Sequence, residues 1–244
     1  MFTQKDPVAL PRPSQADRKV AKSSPNHCTA YAVLGSNEGV VMQGESYLEL
    51  CHLYLLNDMS NVVHLKEQAL FLYGWDVSRP ARHYFDVLAT LDNGYRIAFA
   101  VKPEVRLTSG RVHREMSEIA WWVEEFNFAA EVRLLTGIDI DEIDLRNARY
   151  LAAVREPDPE ADAAAFKALC ALPEGAGQSI RDLTVAIGMK DRGYRAAIRL
   201  IRNGFARPPR REKLGHQSLI VRITEEDRKR GVTRARKLQP RLAV

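Results

Sequence analysis

Only three cysteines occur in the chain, Cys28, Cys51 and Cys170, and no two form a Cys-x-x-Cys pair. That excludes a disulfide framework and a zinc knuckle, and it leads us to expect a reducing, cytoplasmic setting. Also missing is any apolar run of the roughly 18 residues a membrane-spanning helix needs, so no membrane partner is expected. The first 27 residues, "MFTQKDPVALPRPSQADRKVAKSSPNH", have no apolar stretch of the signal-peptide kind. They are rich in Pro, Ser and Lys and read as a mobile basic arm.

What is present is ordinary globular composition, 45% hydrophobic and 27% charged over 244 residues, enough for one large domain or two small ones. The net charge of +5 is unevenly placed. Residues 205–244 carry twelve Arg or Lys against four Asp or Glu, a local +8, which leaves −3 for everything before them. A basic end on a near-neutral body points to nucleic acid; a solubilising tail is the plainer alternative.

Periodicity divides the chain in two. "YAVLGSNEGVVMQGE" reads as a short strand and a Gly-rich turn. "SYLELCHLYLLND" reads as a largely buried helix with Ser46 as N-cap and Asn57-Asp58 as its stop. "VVHLKEQALFLYGW" is strand-like. "HYFDVLATLDNGYRIAFAVKPE" reads as a hairpin turning at Asp92-Asn93-Gly94. A helix over "REMSEIAWWVEEFNFAAE" and a strand over "VRLLTGIDI" complete a small mixed α/β sheet domain, with Trp121 and Trp122 as packing residues.

A helix from Asp141 runs to a Pro-rich break at 157–159, where a domain boundary is expected. Three helices then follow, the second capped by Ser179 with Asp182 at the third position and the third closed by Gly204, and a pair of short strands around a basic loop comes last. Three helices and a hairpin in about 65 residues is the winged-helix pattern. The expected division is an arm over 1–27, an α/β domain over 28–157, a winged helix over 158–225 and a basic tail over 226–244.

Asp86 and Lys102 lie on the two strands of the hairpin, so the turn folds them together. Glu49 sits on the preceding helix among apolar neighbours, where an unused charge is costly. Two acids and an amine in one cleft suit phosphodiester chemistry, with a hard cation held by the carboxylates and the amine beside the attacking water. A strand-end Asp, an edge-strand Lys and a solvated helix Glu are the structural alternative. His52, one turn from Glu49, and His83, at the hairpin start, are more simply packed side chains. On the third helix of the C-terminal segment, Arg192, Arg195, Arg199 and Arg202 recur at spacings of three and four. That row reads as a phosphate and groove reader for double-stranded DNA, with Arg207, Arg210, Arg211 and Lys213 of the loop on the backbone. A solvated cationic face and a protein-docking surface are the alternatives.

In this order, "SYLELCHLYLLND", "LKEQ", "HYFDVLATLDNGYRIAFAVKPE" and "RNARYLAAVREPDP" resemble the TnsA family of transposon-end endonucleases, over roughly residues 40–225. This family is a branch of the PD-(D/E)xK, restriction-endonuclease-like superfamily. The resemblance implies a nuclease domain followed by a winged helix, and Mg²⁺- or Mn²⁺-dependent cutting or nicking of mobile-element ends. It also implies partnership with a separate transposase subunit and an ATPase regulator. Glu49 and Asp86 match the metal-binding acids and Lys102 the catalytic lysine, with the Val101 backbone carbonyl as a further ligand. Gln68 matches the Gln of the family's "EQ". Ala100 stands where most of the superfamily has an acid two residues before the lysine, and Phe85 stands where a Pro usually precedes the Asp. Glu104, in phase with 100 and 102 but past Pro103, is a weak substitute. Ala100 therefore keeps a second function open, a nuclease fold that has lost its chemistry and serves as a DNA-binding, regulatory or assembly module. RNA processing is a third and weaker reading.

Overall fold

The computed structural model describes residues 10–20, 28–229 and 238. An antiparallel hairpin, β1 (Ala30–Leu34) and β2 (Val40–Gly44), leads into helix α1 (Tyr47–Asn57). The sequence shows one strand here; the structure has two, because the turn at 35–39 is followed by three buried residues, Val40, Met42 and Gln43. Helix α1 begins at Ser46, whose hydroxyl accepts from the Glu49 amide at 3.1 Å, and it stops at Asp58.

Strands β3 (Val62–Tyr73), β4 (Ala81–Leu91) and β5 (Arg96–Val101) run antiparallel. Helix α2 (Arg111–Glu125) then crosses over to β6 (Glu131–Leu135), which lies parallel to β5. The sheet order is β3-β4-β5-β6. At the β4–β5 turn the Gly94 amide donates to the Leu91 carbonyl at 2.9 Å and the Leu91 amide to Tyr95 at 2.8 Å. Gly94 takes φ +82°, which is the type I turn with a glycine bulge.

The sheet changes phase in its middle. Leu65, Val87 and Ala89 join the core under α1 and the β1–β2 hairpin. Further along, Ala69, Phe71 and Phe85 join the core under α2. The switch falls where Gln68 and Asp86 lie opposite each other, between the pairs Glu67–Val87 and Ala69–Phe85. Gln68 takes φ +49°, a left-handed conformation rare for a side-chain-bearing residue. All three residues on each strand here, 67–69 and 85–87, are buried, as are residues 97–101 of β5, because both faces of the sheet are covered.

Helices α3 (Glu142–Ala152), α4 (Pro159–Cys170), α5 (Ile180–Ile187) and α6 (Lys190–Arg202) follow, with strands β7 (Gly177–Ser179), β8 (Ala206–Arg207) and β9 (Leu219–Arg222) in the order β7-β9-β8. Ser179 caps α5 and exchanges hydrogen bonds with Asp182, as its spacing predicts. The boundary expected at 157–158 falls in a loop, but α3 serves both sides of it. Ala152 belongs to the N-terminal core, whereas Leu151 and Val154 belong to the core of α4–α6.

Two expectations need correction. Residues 10–20 of the expected mobile arm are a strap laid across β2 and β3. Arg12 bridges Val40, and the Asp17 carboxylate accepts from the Leu70 amide and the Lys66 ammonium, both at 2.7 Å. Nor is the expected tail wholly separate. Helix α7 spans Glu225–Lys229, and Leu238 is buried in the N-terminal core, its amide and carbonyl both held by the Asn61 side chain. The remainder of the arm and tail lies outside the described residues.

The strap also reaches a buried carboxyl group. Glu67 is fully buried; its Oε1 accepts from the Ser14 hydroxyl at 2.5 Å, and its Oε2 has no partner among the described residues. Ser14→Ala removes that donor and is expected to cost about 2 kcal/mol, lowering the melting temperature by about 6 °C in a thermal melt.

Candidate functional site

Glu49, Asp86 and Lys102 come from α1, from the middle of β4 and from the residue just past β5, and they converge. Lys102 Nζ lies 3.5 Å from Asp86 Oδ2, and the Val101 amide donates to the same oxygen at 2.7 Å. Asp86 and Glu49 are each 7% exposed. Burial raises the Glu49 pKa above the usual carboxylate value, and the charge of Asp86 raises it further. Against these, the Glu45 amide donates to Glu49 Oε2 at 2.8 Å and the Ser46 hydroxyl to Oε1 at 2.8 Å. Asp86 thus lies beside the Lys102 ammonium and close enough to Glu49 for its charge to act on that carboxyl group.

Gln68 joins the group because its left-handed backbone turns its side chain toward α1. Its amide nitrogen donates to Glu49 Oε2 at 3.3 Å, and its amide oxygen accepts from Arg18 Nε at 2.7 Å. Arg18 also donates to Glu45 at 3.1 Å and lies 4.6 Å over the Tyr84 ring. Arg18 and Tyr84 carry no local sequence signal. Arg18 reaches its partners across 27 to 50 residues of chain from a segment that reads as an arm.

The remaining sequence candidates fall elsewhere. Val101 donates its amide N–H to Asp86, and its carbonyl, on the same edge of β5, faces the same strand. Ala100 is 1% exposed in the apolar cluster with Ile119 and Trp122 under α2. Phe85 is fully buried in that cluster, against Phe71 and Phe128. Glu104 does not join the carboxylates. It opens a short 3₁₀ turn and accepts from the Ile138 amide at 2.9 Å. An added Cβ at Gly137 would lie 2.7 Å from Glu104 Oε1, so the Glu104 side chain would have to swing aside. Trp122 is core, whereas Trp121 is 45% exposed beside Trp75, which is 83% exposed.

His52 is buried, its Nε2 2.9 Å from the Thr136 carbonyl, which fixes Nε2 as the protonated nitrogen. Burial depresses its pKa. His83 is depressed by burial and then by the Lys102 charge, and its Nε2 is buried without a partner among the described residues. Both histidines hold a proton less tightly in the fold than in the unfolded chain, which protonates near 6.5. The unfolded state therefore binds more protons just below that value, and stability falls as pH drops through it. Denaturant unfolding at pH 7.5 and 5.5 is expected to show this loss, reduced in His52→Gln.

The arginine row of α6 bonds α3 and α4; Arg199 is buried, Arg202 half-buried, and Arg192 and Arg195 stay exposed. Arg192 bonds Asp158, the N-cap of α4, at 2.8 Å and Glu160 at 2.7 Å. Arg199 is 4% exposed and holds Asp162 at 2.6 Å. Arg195 and Arg202 donate to the Ala153 and Leu151 carbonyls at the end of α3, and Arg202 also to Gly35 of the β1–β2 turn at 2.6 Å. These guanidinium groups satisfy carbonyls that a helix end leaves bare. In the loop, Arg210 pairs with Glu212, Arg211 with Asp141 and Asp144, and Lys213 with Glu142 at 3.5 Å, while Arg207 is half-buried.

No protein-family model matches the chain, and no curated protein is similar to it at a significant level. The fold and site themselves define a mixed α/β protein with a cluster of two buried carboxyl groups and one lysine. Among the described residues no group of three or more His, Cys, Asp or Glu could hold a metal, and no helix is long and apolar enough to cross a membrane.

Proposed function

We propose that this chain is a DNA endonuclease of the TnsA-like kind, acting on mobile-element ends, with a restriction-endonuclease-like sheet domain followed by a winged helix. The observation that carries the reading is the convergence of Glu49, Asp86 and Lys102 from three separate elements. The order β7-β9-β8 behind α4, α5 and α6 supports the winged-helix assignment. Glu49 and Asp86 would hold one Mg²⁺ or Mn²⁺, with waters and substrate phosphate completing its shell. Such an ion supplies Lewis-acid stabilisation of the phosphoryl oxygens and a more acidic bound water. The chain's own contribution is positional. Asp86 is fixed by the Val101 amide, Glu49 by Glu45, Ser46 and Gln68, and Lys102 sets a donor where charge develops on phosphate. Double-stranded DNA is the substrate on this reading, and a transposase subunit and an ATPase regulator are the protein partners.

Supercoiled DNA with Mn²⁺ tests it. Wild type, alone or with its partner transposase, is expected to nick, and Lys102→Ala to lose at least about a hundredfold in rate while duplex binding is kept. Equal nicking by both would overturn the assignment of Lys102.

A second reading, the disarmed nuclease fold, is favoured by the burial of Ala100 in apolar contacts and by the engagement of both Glu49 oxygens within the fold. It predicts duplex binding with no Mn²⁺ uptake at Asp86.

A further inference from the structure

On α6, Arg199 and Arg202 are held against α4 and α3, while Arg192 and Arg195 stay exposed, and a second cationic surface lies beside them. The geometry points to a groove between α3 and the β8–β9 loop as the seat of duplex DNA, in contact through its phosphate backbone. This inference rests on the DNA-binding reading above and assigns its surface. The groove is shallow and open, about 480 Å³, and is lined by Glu142, Leu145, Arg146, Arg149, Tyr150 and Lys213.

Three observations carry it. The first is charge that the fold does not consume. Arg146 is exposed and has no ion-pair partner among the described residues. Lys213 reaches Glu142 at only 3.5 Å, with side chains 47% and 89% exposed, a pair too solvated to hold it. The second is rigidity. Asn147 pins the loop to α3 from both sides, donating to the Glu212 carbonyl at 2.8 Å and accepting from the Leu214 amide at 2.9 Å. Arg149 is likewise fixed, donating to the Tyr47 hydroxyl at 2.8 Å with its guanidinium 5.2 Å over that ring. Cations held on two tied elements lose little entropy when a phosphate arrives.

The third is continuity. Tyr47 is the first residue of α1, two residues before Glu49, so the groove ends beside the helix that carries a cleft acid. Leu145 and Tyr150 give the groove an apolar component between the cations, which suits a chain that alternates phosphate and sugar.

The test titrates the full chain onto a labelled duplex of about 30 base pairs at salt between about 50 and about 200 mM, with single-stranded RNA of equal length as the second probe. Wild type is expected to bind duplex with a steep negative dependence of log affinity on log salt. Arg146→Ala/Lys213→Ala is expected to lose about two units of that slope, and about a hundredfold in affinity at the lower salt and about tenfold at the higher. Its circular dichroism and melting temperature are expected to match wild type. Should it melt early, Arg146→Ala alone removes about one unit of slope. A wild type that does not bind duplex removes the DNA reading itself. A wild type that binds while the folded variant keeps its full slope overturns the groove alone. Tighter binding of the RNA than of the duplex overturns the choice of occupant.

Discussion

Asp86→Asn is expected to lower Mn²⁺ affinity by about a hundredfold in isothermal titration while leaving the fold intact. The substitution is nearly isosteric. Asn keeps an oxygen that can accept from the Val101 amide, which now donates at 2.7 Å, so the β4–β5 junction survives. What disappears is one of two negative charges, and with it the attraction for a hard cation. A second consequence follows at Glu49, whose pKa is raised by burial and then by Asp86. Removing the Asp86 charge takes away the second of those causes, so Glu49 ionises at lower pH in the variant. In wild type the folded state holds the Glu49 proton more tightly than the unfolded chain does. Glu49 therefore contributes stability at pH below about 4.5 that is lost as pH rises through its raised value. Asp86→Asn shrinks that loss. Mn²⁺ affinity unchanged in the variant would show that Asp86 is no ligand, and the disarmed reading would then stand.

Arg199→Ala is expected to cost about 3 kcal/mol and to lower the melting temperature by about 10 °C, with no change in the salt slope of DNA binding by the folded protein. Arg199 is 4% exposed and bonds Asp162 at 2.6 Å, and Asp162 sits in the first turn of α4. Truncation leaves that carboxylate, 28% exposed, without its cation and opens a void between α4 and α6. A groove-reading arginine behaves in the opposite way, changing the salt slope and sparing the fold. Calorimetry of Arg199→Ala beside salt titrations of Arg146→Ala separates the two roles in one pair of proteins.

The difference between these arginines shows what could be read in advance. Spacings of three and four correctly put Arg192, Arg195, Arg199 and Arg202 on α6. Nothing in the spacing says what stands opposite them, and the answer, the carbonyls ending α3 and the acids opening α4, depends on tertiary packing. Element types and caps were legible because their determinants are local: Ser46, Ser179 and the Asn93-Gly94 turn act within four residues. The triad was legible too, since the hairpin turn brings Asp86 and Lys102 together and Glu49 stands out among leucines. Arg18 and the φ of Gln68 were not. A polar residue in the left-handed region mid-strand has no composition signal, and the strap's hydrogen bonds span about fifty residues. Ala100, where the resemblance implies an acid, is a small residue in the core under α2.

The central claim is that Glu49 and Asp86 form one cation-binding cleft beside Lys102. The most direct measurement is anomalous diffraction from crystals of the full chain soaked in Mn²⁺. A single peak within coordination distance of both carboxylates is predicted, about 2.2 Å from each, with Lys102 adjacent. A map with no peak there, or one showing Glu49, Asp86 and Lys102 turned into separate regions, would contradict it.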